Sequence, residues 1–516
     1  MKLRITSLLF FVTVTSFAQQ RIISVDLTKV KGPRSSMYNF CVGAGRANEG
    51  LRADWQQQLA AIQKTMPFRY IRFHGILHDD MAVYKEDDNG NPIYNWQYID
   101  KLYDFLLSVN IKPFVELSFM PSALAKGTKT VFWWKANVTE PKDYTKWENL
   151  IIAFVKHLEQ RYGKKEVESW FFEVWNEPDH PAFLSPNNQE TYYKIYASAA
   201  KAIKSVSPTY KVGGPATAGS AWVGQAIRYC YNNKLQLDFI STHSYAVFGD
   251  GLDEFGKKKL KLIPDENIIS KAIKRLRDTI NNSAMPKLDL HITEFSSSYS
   301  DADPIHDTNQ NAPYTLNVLR NTESSATSMS YWTFTDIFEE NAPASTPFHG
   351  GFGLINLQDI SKPTFYIFKF LAELGNTELI NTDSSSIICK DNIGNVQALF
   401  WNITMPEMKG SSNKEYFRKD LPAANVGTAE LRVRNIKPGK YKLEIYQTGY
   451  RVNDSFTAYY DMRLPSQITK EQVAKLKESA AGKPIEQSVV NISGAGFSKN
   501  IKMRENDVFF VRITRL

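Results

Sequence analysis

The decapeptide Trp170-Phe-Phe-Glu-Val-Trp-Asn-Glu-Pro-Asp179 begins with aromatic and β-branched residues and ends just after a proline. This pattern predicts a buried strand over Trp170–Trp175 that presents Asn176 and Glu177 to a cleft. A carboxyl group between Trp175 and Pro178 loses hydration, so we expect the pKa of Glu177 to rise. A carboxyl that stays protonated near neutral pH can serve as a general acid. The alternative interpretation is a solvated glutamate in a loop.

Short strand-like runs and helical stretches alternate around this decapeptide. The predicted strands are Tyr38–Val42, Tyr70–His74, Pro113–Phe119, Trp170–Trp175, Lys211–Gly214, Phe239–His243, Leu288–Glu294 and Ser330–Phe334. The predicted helices are Trp55–Lys64, Tyr98–Val109, Lys146–Tyr162, Glu190–Ser205, Ala221–Asn232, Ile268–Asn281 and Leu316–Ser324. This alternation predicts an α/β fold, a (β/α)₈ TIM barrel. A doubly wound open sheet is the alternative, but no glycine-rich phosphate loop follows the first strand.

Polar or aromatic residues stand at the ends of six of these strands. In chain order they are His74, Glu116 with Phe119, Asn176 with Glu177, His243 with Tyr245, Glu294, and Trp332 with Asp336. Catalytic groups in such barrels come from the carboxyl ends of different strands. We therefore expect these residues to share one site.

Glu294 ends the predicted seventh strand, within Leu288-Asp-Leu-His-Ile-Thr-Glu294. Strands four and seven face each other obliquely across an eight-stranded barrel, so Glu177 and Glu294 are expected to form a pair. Glycoside hydrolysis uses two carboxyl groups in this way. The alternative for Glu294 is a buried ion pair with a neighbouring cation.

The chain beyond residue 379 changes character. Short β runs separated by Gly, Pro and Asn predict a β-sandwich, interrupted by one helix over Thr469–Ser479. The runs are Ser386–Cys389, Val396–Trp401, Ala429–Val433, Tyr441–Tyr446, Ser488–Ile492 and Val508–Ile513. We therefore predict a catalytic barrel over residues 19–375 and an accessory sandwich over 376–516. The strand Arg21–Val30 could join the sandwich, since chain termini often meet in space.

The first eighteen residues have the pattern of a secretory signal peptide. Lys2 and Arg4 precede an apolar run over Leu8–Val14, and Ser16-Phe-Ala18 resembles a cleavage site. We expect a mature chain that begins near Gln19 and is exported to the periplasm or the medium. A membrane anchor is the alternative, but the run is short for a span.

Charge and cysteine content exclude several function classes. The net charge of +8 is spread over 516 residues without a basic block, so no nucleic-acid partner is expected. Cys41, Cys230 and Cys389 form no CxxC pair and are expected to be mostly buried. His74 and His78 lack a third ligand, so neither a metal nor a cofactor is expected.

The motifs resemble those of a known enzyme family. Trp175-Asn-Glu-Pro178 and His291-Ile-Thr-Glu294 resemble the retaining glycosidases, and more narrowly glycoside hydrolase family 39, with its β-xylosidases closest and α-L-iduronidase on another branch. Supporting stretches are Tyr70-Ile-Arg-Phe-His-Gly75, Phe114-Val-Glu-Leu-Ser-Phe-Met-Pro121, Val212-Gly-Gly-Pro-Ala-Thr217, Ser330-Tyr-Trp-Thr-Phe334, Phe338-Glu-Glu340 and Phe348-His-Gly-Gly-Phe-Gly353. The resemblance covers the barrel and is weaker over the sandwich.

The resemblance implies specific residue roles. Glu177 would be the acid/base, Glu294 the nucleophile, and Asn176 the ligand of the sugar 2-hydroxyl. The residues implied to line the terminal sugar subsite are His74, Phe119, His243, Tyr245, Tyr299, Trp332 and Glu339.

The implied activity is the release of xylose from the non-reducing ends of xylo-oligosaccharides. Ser296 and Asp179-His180 depart from the xylosidase pattern, which leaves an iduronidase-like or arabinose-releasing enzyme as alternatives. A non-catalytic carbohydrate-binding protein is a further alternative, disfavoured because both carboxyl groups are present. The partner is an oligosaccharide, with no membrane contact after signal cleavage. Both a monomer and a homo-oligomer are open.

Overall fold

The first structural unit is a closed barrel of eight parallel strands, seen in a computed structural model that describes residues 20–252 and 258–516. The predicted signal peptide, residues 1–18, lies outside the described residues. The barrel strands, numbered one to eight along the chain, are Cys41–Arg46, Tyr70–His74, Lys112–Leu117, Phe171–Val174, Lys211–Thr217, Phe239–Tyr245, Asp289–Ser296 and Ser328–Tyr331. Consecutive strands pair in parallel and strand eight closes on strand one, which confirms the predicted TIM barrel.

A helix follows each barrel strand. These helices are Ala53–Thr65, Gln97–Ser108, Tyr144–Tyr162, Gln189–Val206, Val223–Asn232, Ile268–Asn281, Asn311–Thr322 and Pro363–Glu373. The sequence pattern predicted seven of them and missed Pro363–Glu373, whose residues are nearly all apolar and so show little amphipathic periodicity. Strand one also begins later than predicted, because Met37–Asn39 forms a 3₁₀ turn.

Aromatic residues fill the amino-terminal end of the barrel. Five of the eight strands begin with a side chain of one buried cluster, and its rings pack closely, with Phe114 and Phe171 stacked 4.9 Å apart. The members are Cys41, Tyr70, Phe114, Phe171 and Phe239. Because this end is sealed, the polar side chains of the strands gather at the carboxyl end, where barrel enzymes carry their sites.

The second unit is a β-sandwich of two unequal sheets around a separate apolar core. The larger sheet has the strand order Val30–Pro33, Thr377–Leu379, Ser386–Lys390, Val396–Trp401, Val508–Arg515, Gly439–Thr448 and Glu486–Ile492. The smaller sheet has the order Arg21–Asp26, Asn425–Arg434 and Phe497–Arg504. The sequence showed one strand over Arg21–Val30, whereas a turn splits this segment into two strands, one in each sheet.

Shorter elements complete the described chain. Three hairpins lie in the loops of the barrel: Tyr84–Glu86 with Pro92–Tyr94, Thr130–Val131 with Ala136–Asn137, and Val247–Leu252 with Lys258–Leu262. The 3₁₀ turns are Met37–Asn39, Ala47–Leu51, Asp79–Met81 and Pro304–Asp307, and the remaining helices are Lys164–Val167, Asn413–Phe417, Ser455–Asp461 and Lys470–Ser479. Among all the residues that the structure describes, no helix is both long enough and apolar enough to cross a membrane.

Candidate active site

Two glutamates face each other at the carboxyl end of the barrel. Glu177 follows strand four and Glu294 lies within strand seven. One carboxylate oxygen of each, together with a ring nitrogen of His243, lies within 4.8 Å of the others. Retaining glycosidases separate their two carboxyl groups by about 5–5.5 Å, whereas inverting enzymes leave about 6.5–9.5 Å for a water. The spacing here matches the retaining arrangement.

The backbone around Glu177 is held in an unusual conformation. Trp175 and Glu177 both have positive φ, 74° and 43°, which costs about 1–3 kcal/mol per residue unless contacts compensate. The indole N–H of Trp175 donates to the carbonyl of Phe183 at 2.7 Å. The backbone N–H of Glu177 donates to the carbonyl of Ala216 on strand five at 2.8 Å. These bonds fix the direction in which the Glu177 carboxyl points.

The surroundings of Glu177 favour its protonated form. Burial raises its pKa well above the usual range, and the charges of Glu294 and Asp179 raise it further. Its Oε1 lies 2.8 Å from Nδ1 of His243. The pKa of His243 is far below its usual range because the ring is buried and faces the positive charges of Arg72 and His74. The protonated carboxyl of Glu177 therefore donates a hydrogen bond to a neutral imidazole. Glu177 keeps the proton that a general acid must supply.

Glu294 is oriented by two donors. Arg72 donates to Oε1 at 2.6 Å, and the hydroxyl of Tyr245 donates to Oε2 at 2.7 Å. Charge-assisted bonds of this kind are strong and fix the orientation of a carboxyl group. One glutamate thus keeps a proton that it can give, and the other is held in place by two donors, which suits the acid and nucleophile roles in glycoside hydrolysis.

Arg72 organises the barrel interior beneath both glutamates. Its guanidinium is fully buried and binds Glu116 at 2.6 Å, Glu173 at 2.5 Å and the side-chain oxygen of Asn176 at 3.0 Å, in addition to Glu294. The sequence analysis did not place Arg72 or Glu173 in the site. A signal was present, because an arginine in the middle of a buried strand requires acidic partners.

His74 and Glu340 form a second pair beside the catalytic glutamates. Nδ1 of His74 binds Glu116 at 2.8 Å, and its Nε2 lies 3.5 Å from Glu340. Burial alone would lower the pKa of His74, but these carboxylates raise it to about 10. Burial raises the pKa of Glu340 to about 7.

Glu339 and Glu340 have different partners in the structure. Its two carboxylate oxygens are held by Arg52 at 2.7 Å and Arg46 at 3.4 Å. The adjacent Glu340 is the residue that reaches His74 instead. Two consecutive glutamates in a loop point in different directions, and the sequence contains no periodicity that would indicate which one faces the site.

The remaining predicted residues surround the pair at different depths. Trp332 packs against His74, with 5.0 Å between ring centroids, and Gly43 makes room for it, since a Cβ there would lie 2.3 Å from the indole. Phe119 is fully buried behind His74, so it supports the site. Tyr299 is 46% exposed and lies edge-on to Tyr245 at 6.2 Å, which places it at the mouth.

Clusters of carboxylate and imidazole atoms also bind divalent cations. Here Glu177, His243 and Glu294 would supply the ligands. A metal requires deprotonated ligands, whereas Glu177 is stabilised in its protonated form and Glu294 already binds a guanidinium. These donors suit acid and nucleophile chemistry better than metal binding.

A TIM barrel that carries a protonated glutamate and a second glutamate oriented by two donors, at the distance typical of retaining enzymes, has the site of a glycoside hydrolase. The family model described as "Glycosyl hydrolases family 39" matches residues 21–498, and the chain belongs to this family.

Relatives with this architecture are known from several bacteria. The chain is 43% identical over 380 residues to a β-xylosidase of Geobacillus stearothermophilus, covering 72% of this chain and 75% of that protein. The crystal structure of a monomeric β-xylosidase from Caulobacter crescentus CB15 superposes with a TM-score of 0.93 at 38% identity, covering 96% of this chain and 100% of that chain. Mouse α-L-iduronidase is 28% identical over 207 residues, covering 37% of this chain and 31% of that protein.

Proposed function

We propose that this protein is a retaining exo-β-xylosidase that releases xylose from the non-reducing ends of xylo-oligosaccharides. The observation that carries the mechanism is the spacing of at most 4.8 Å between carboxylate oxygens of Glu177 and Glu294. The similarity to two β-xylosidases, at 43% and 41% identity, supports the choice of sugar.

In the first step, a carboxylate oxygen of Glu294 attacks the anomeric carbon and forms a glycosyl ester. The bond to the leaving oxygen breaks, and Glu177 gives that oxygen its proton. In the second step, Glu177 takes a proton from a water that attacks the same carbon and releases Glu294. Two inversions give net retention. Asn176, which Arg72 orients, is placed beside Glu177 and would bind the 2-hydroxyl.

An iduronidase-like activity is less well supported by the site. A uronic acid in the terminal subsite needs a cationic partner. Arg72, His74 and Arg46, which is paired with His74 in the strand register, are cations at this site, and carboxylates of the protein already bind all three. Glu340 adds a further acidic group, which would repel a uronate unless it is protonated.

The activity is tested with aryl glycosides of several sugars and with xylobiose. We expect hydrolysis of aryl β-xylosides and xylobiose, with NMR showing the β-anomer of xylose before mutarotation. An inverted product would refute the retaining mechanism, and an enzyme that ignores xylosides but cleaves another glycoside would refute the sugar assignment.

The two carboxyl roles are separated by alanine variants. Glu177→Ala should still cleave substrates whose leaving group needs no proton, then stall at the ester, and azide should restore turnover. On unactivated substrates it should lose a factor of about 10²–10⁴. Glu294→Ala should lose turnover on every substrate. A Glu294→Ala variant with near-normal turnover would contradict the assignment.

We also propose that the protein is exported and that it has two domains: residues 19–375, apart from the strands within residues 21–33 that join the sandwich, and residues 376–516. The signal-like composition of residues 1–18 supports the first statement. N-terminal sequencing of protein from the native host should show a chain that starts near Gln19. Retention of Met1 would contradict it.

A further inference from the structure

A groove lies between the mouth of the barrel and the C-terminal unit. Its walls are the hairpin Val247–Leu252 with Lys258–Leu262, the loop Ser300–Pro304, and the short helix Asn413–Phe417. It encloses about 500 Å³. Asn413 holds the three walls together, since it accepts from Leu262 N and donates to Asp303, both at 2.7 Å.

Among the described residues, the lining of the groove has an excess of positive charge. Its cations are Lys258, Lys259, Lys414 and Arg418, and its carboxylates in that part of the chain are Asp303 and Glu415. Both carboxylates are engaged within the protein: Asp303 binds Asn413, and Glu415 caps its own helix and lies 3.8 Å from Lys259. Lys258, Lys414 and Arg418 are exposed, and the described part of the chain supplies no carboxylate within ion-pair distance of them.

The groove continues from the active site. Ser300 follows Tyr299, whose ring lies against Tyr245, the residue that binds Glu294. On the other side, burial lowers the pKa of His180, and the nearby positive charge of Lys258 lowers it as well. The backbone N–H of His180 donates to the carbonyl of Glu177 at 3.0 Å. The groove therefore borders the loop that carries the general acid.

This position determines which part of a substrate could enter the groove. Glu177 protonates the leaving oxygen, so the sugar chain beyond that oxygen extends past the Glu177 loop. The cleaved xylose instead occupies the closed subsite around His74 and Trp332. A cationic surface on the leaving-group side favours an anionic leaving group, and an arginine recognises a carboxylate in two-pronged fashion.

We propose that this cationic groove binds the leaving-group part of acidic xylo-oligosaccharides, with Lys414, Arg418 and Lys258 facing the carboxylate of a uronic acid substituent. The inference rests on the proposed β-xylosidase activity and adds a substrate class to it.

The test compares two substrates that differ in one group. One is a xylo-oligosaccharide with an unsubstituted terminal xylose and a glucuronic acid on the next xylose, and the other is the same molecule with the carboxyl reduced to an alcohol. We expect kcat/KM to be about threefold or more higher for the acid at low salt, since each exposed ion pair contributes modestly. The ratio should approach one as salt rises from ~20 mM to ~0.5 M.

Charge-reversal variants locate the effect. Lys414→Glu with Arg418→Glu should abolish or invert the preference while changing kcat/KM for neutral xylobiose by less than about twofold. The matched control, Lys201→Glu with Lys274→Glu, makes the same change in net charge on outer barrel helices and should keep the preference. A ratio of one or below in the unmodified enzyme, or equal loss in both double variants, overturns the inference. Failure to cleave neutral xylobiose would instead refute the β-xylosidase activity itself.

Discussion

At the scale of single residues, the protonation state of Glu177 determines how the activity depends on pH. Its folded-state pKa is raised by burial and by the charges of Glu294 and Asp179, so the active protonated form persists above the pH at which an ordinary glutamate ionises. We expect kcat/KM on xylobiose to decline on the alkaline side, along a limb that reports this group. In Glu177→Ala, assayed with an activated aryl xyloside, that limb should disappear. A limb unchanged by the substitution would assign it to another group.

The same coupling predicts the effect of neutralising the nucleophile. Glu294→Gln removes a negative charge that raises the pKa of Glu177, so that pKa should fall. A titration followed by carboxyl infrared bands measures the shift without requiring activity. The control is Glu190→Gln, an exposed carboxylate on an outer helix, which should leave Glu177 unchanged. An unchanged or raised pKa in Glu294→Gln would contradict the coupling.

Substitution of Tyr245 tests how much the orientation of the nucleophile contributes to catalysis. Its hydroxyl donates to Glu294 at 2.7 Å, and bonds to charged groups contribute about 1.5–3 kcal/mol. Tyr245→Phe should therefore lower kcat about 10- to 150-fold, together with a loss of thermal stability, because the same bond is removed from the folded state. The control is Tyr299→Phe at the mouth, which should have a much smaller effect on kcat. Equal losses in the two variants would argue against a specific role for Tyr245.

Residues at strand ends were predictable, whereas buried charge networks were less so. Glu177 follows strand four and Glu294 lies near the carboxyl end of strand seven, and the structure places them together, as the strand pattern led us to expect. Arg72 and Glu173 lie inside strands, and their contacts depend on which side chains point into the barrel. The choice between Glu339 and Glu340 depends on loop geometry that only tertiary contacts determine.

At the scale of elements, the loop after strand eight is anchored by a buried lysine. Lys362, which precedes the last barrel helix, lies 2.7 Å from both Asp307 and Asp336 and donates to the carbonyl of Gly351 at 2.8 Å. This joins the segments after strands seven and eight, including the loop that carries Glu340. The triad is fully buried, so its charges have no access to water.

Lys362→Met should lower the free energy of unfolding by about 3–5 kcal/mol, because it leaves two buried carboxylates without a cation. Urea unfolding measures the change. Lys369→Met, at a half-buried position of the following helix, is the matched control and should cost about 1 kcal/mol or less. If the two variants had equal free energies of unfolding, the ion pairs of Lys362 with Asp307 and Asp336 would not contribute to stability.

At the scale of the whole molecule, the amino-terminal segment connects the two units. Arg21–Asp26 pairs in parallel with Asn425–Arg434, and Val30–Pro33 pairs with Thr377–Leu379. The strand periodicity indicated that this segment is extended. Its partners could not be read from it, because pairing between opposite ends of a chain depends on the assembled sheets.

The barrel and the sandwich are joined by the chain itself and also by an apolar interface. Phe370 of the last barrel helix stacks on Phe510 of the sandwich, with 5.2 Å between ring centroids and an interplanar angle of 5°. Exposing the aromatic residues of that helix to water would lower the stability of the barrel. The barrel therefore depends on the sandwich to cover them.

A chain that starts at Arg34 should accordingly be much less stable than one that starts at Gln20. It loses the buried side chains of Ile23 and Val25 and the ion pair of Arg21 with Asp383 at 2.5 Å, and it exposes an edge of each sheet. Thermal unfolding with light scattering should show a lower melting temperature and aggregation. Because a deletion is severe, Ile23→Ala provides a finer test, with an expected loss of about 2–5 kcal/mol. Ile22→Ala, at an exposed neighbouring position, is its control. If the chain from Arg34 melted at the same temperature as the longer chain, the amino-terminal strands would be peripheral to the fold, and the contacts that Phe510 and Asn413 make with the barrel would suffice to hold the two units together.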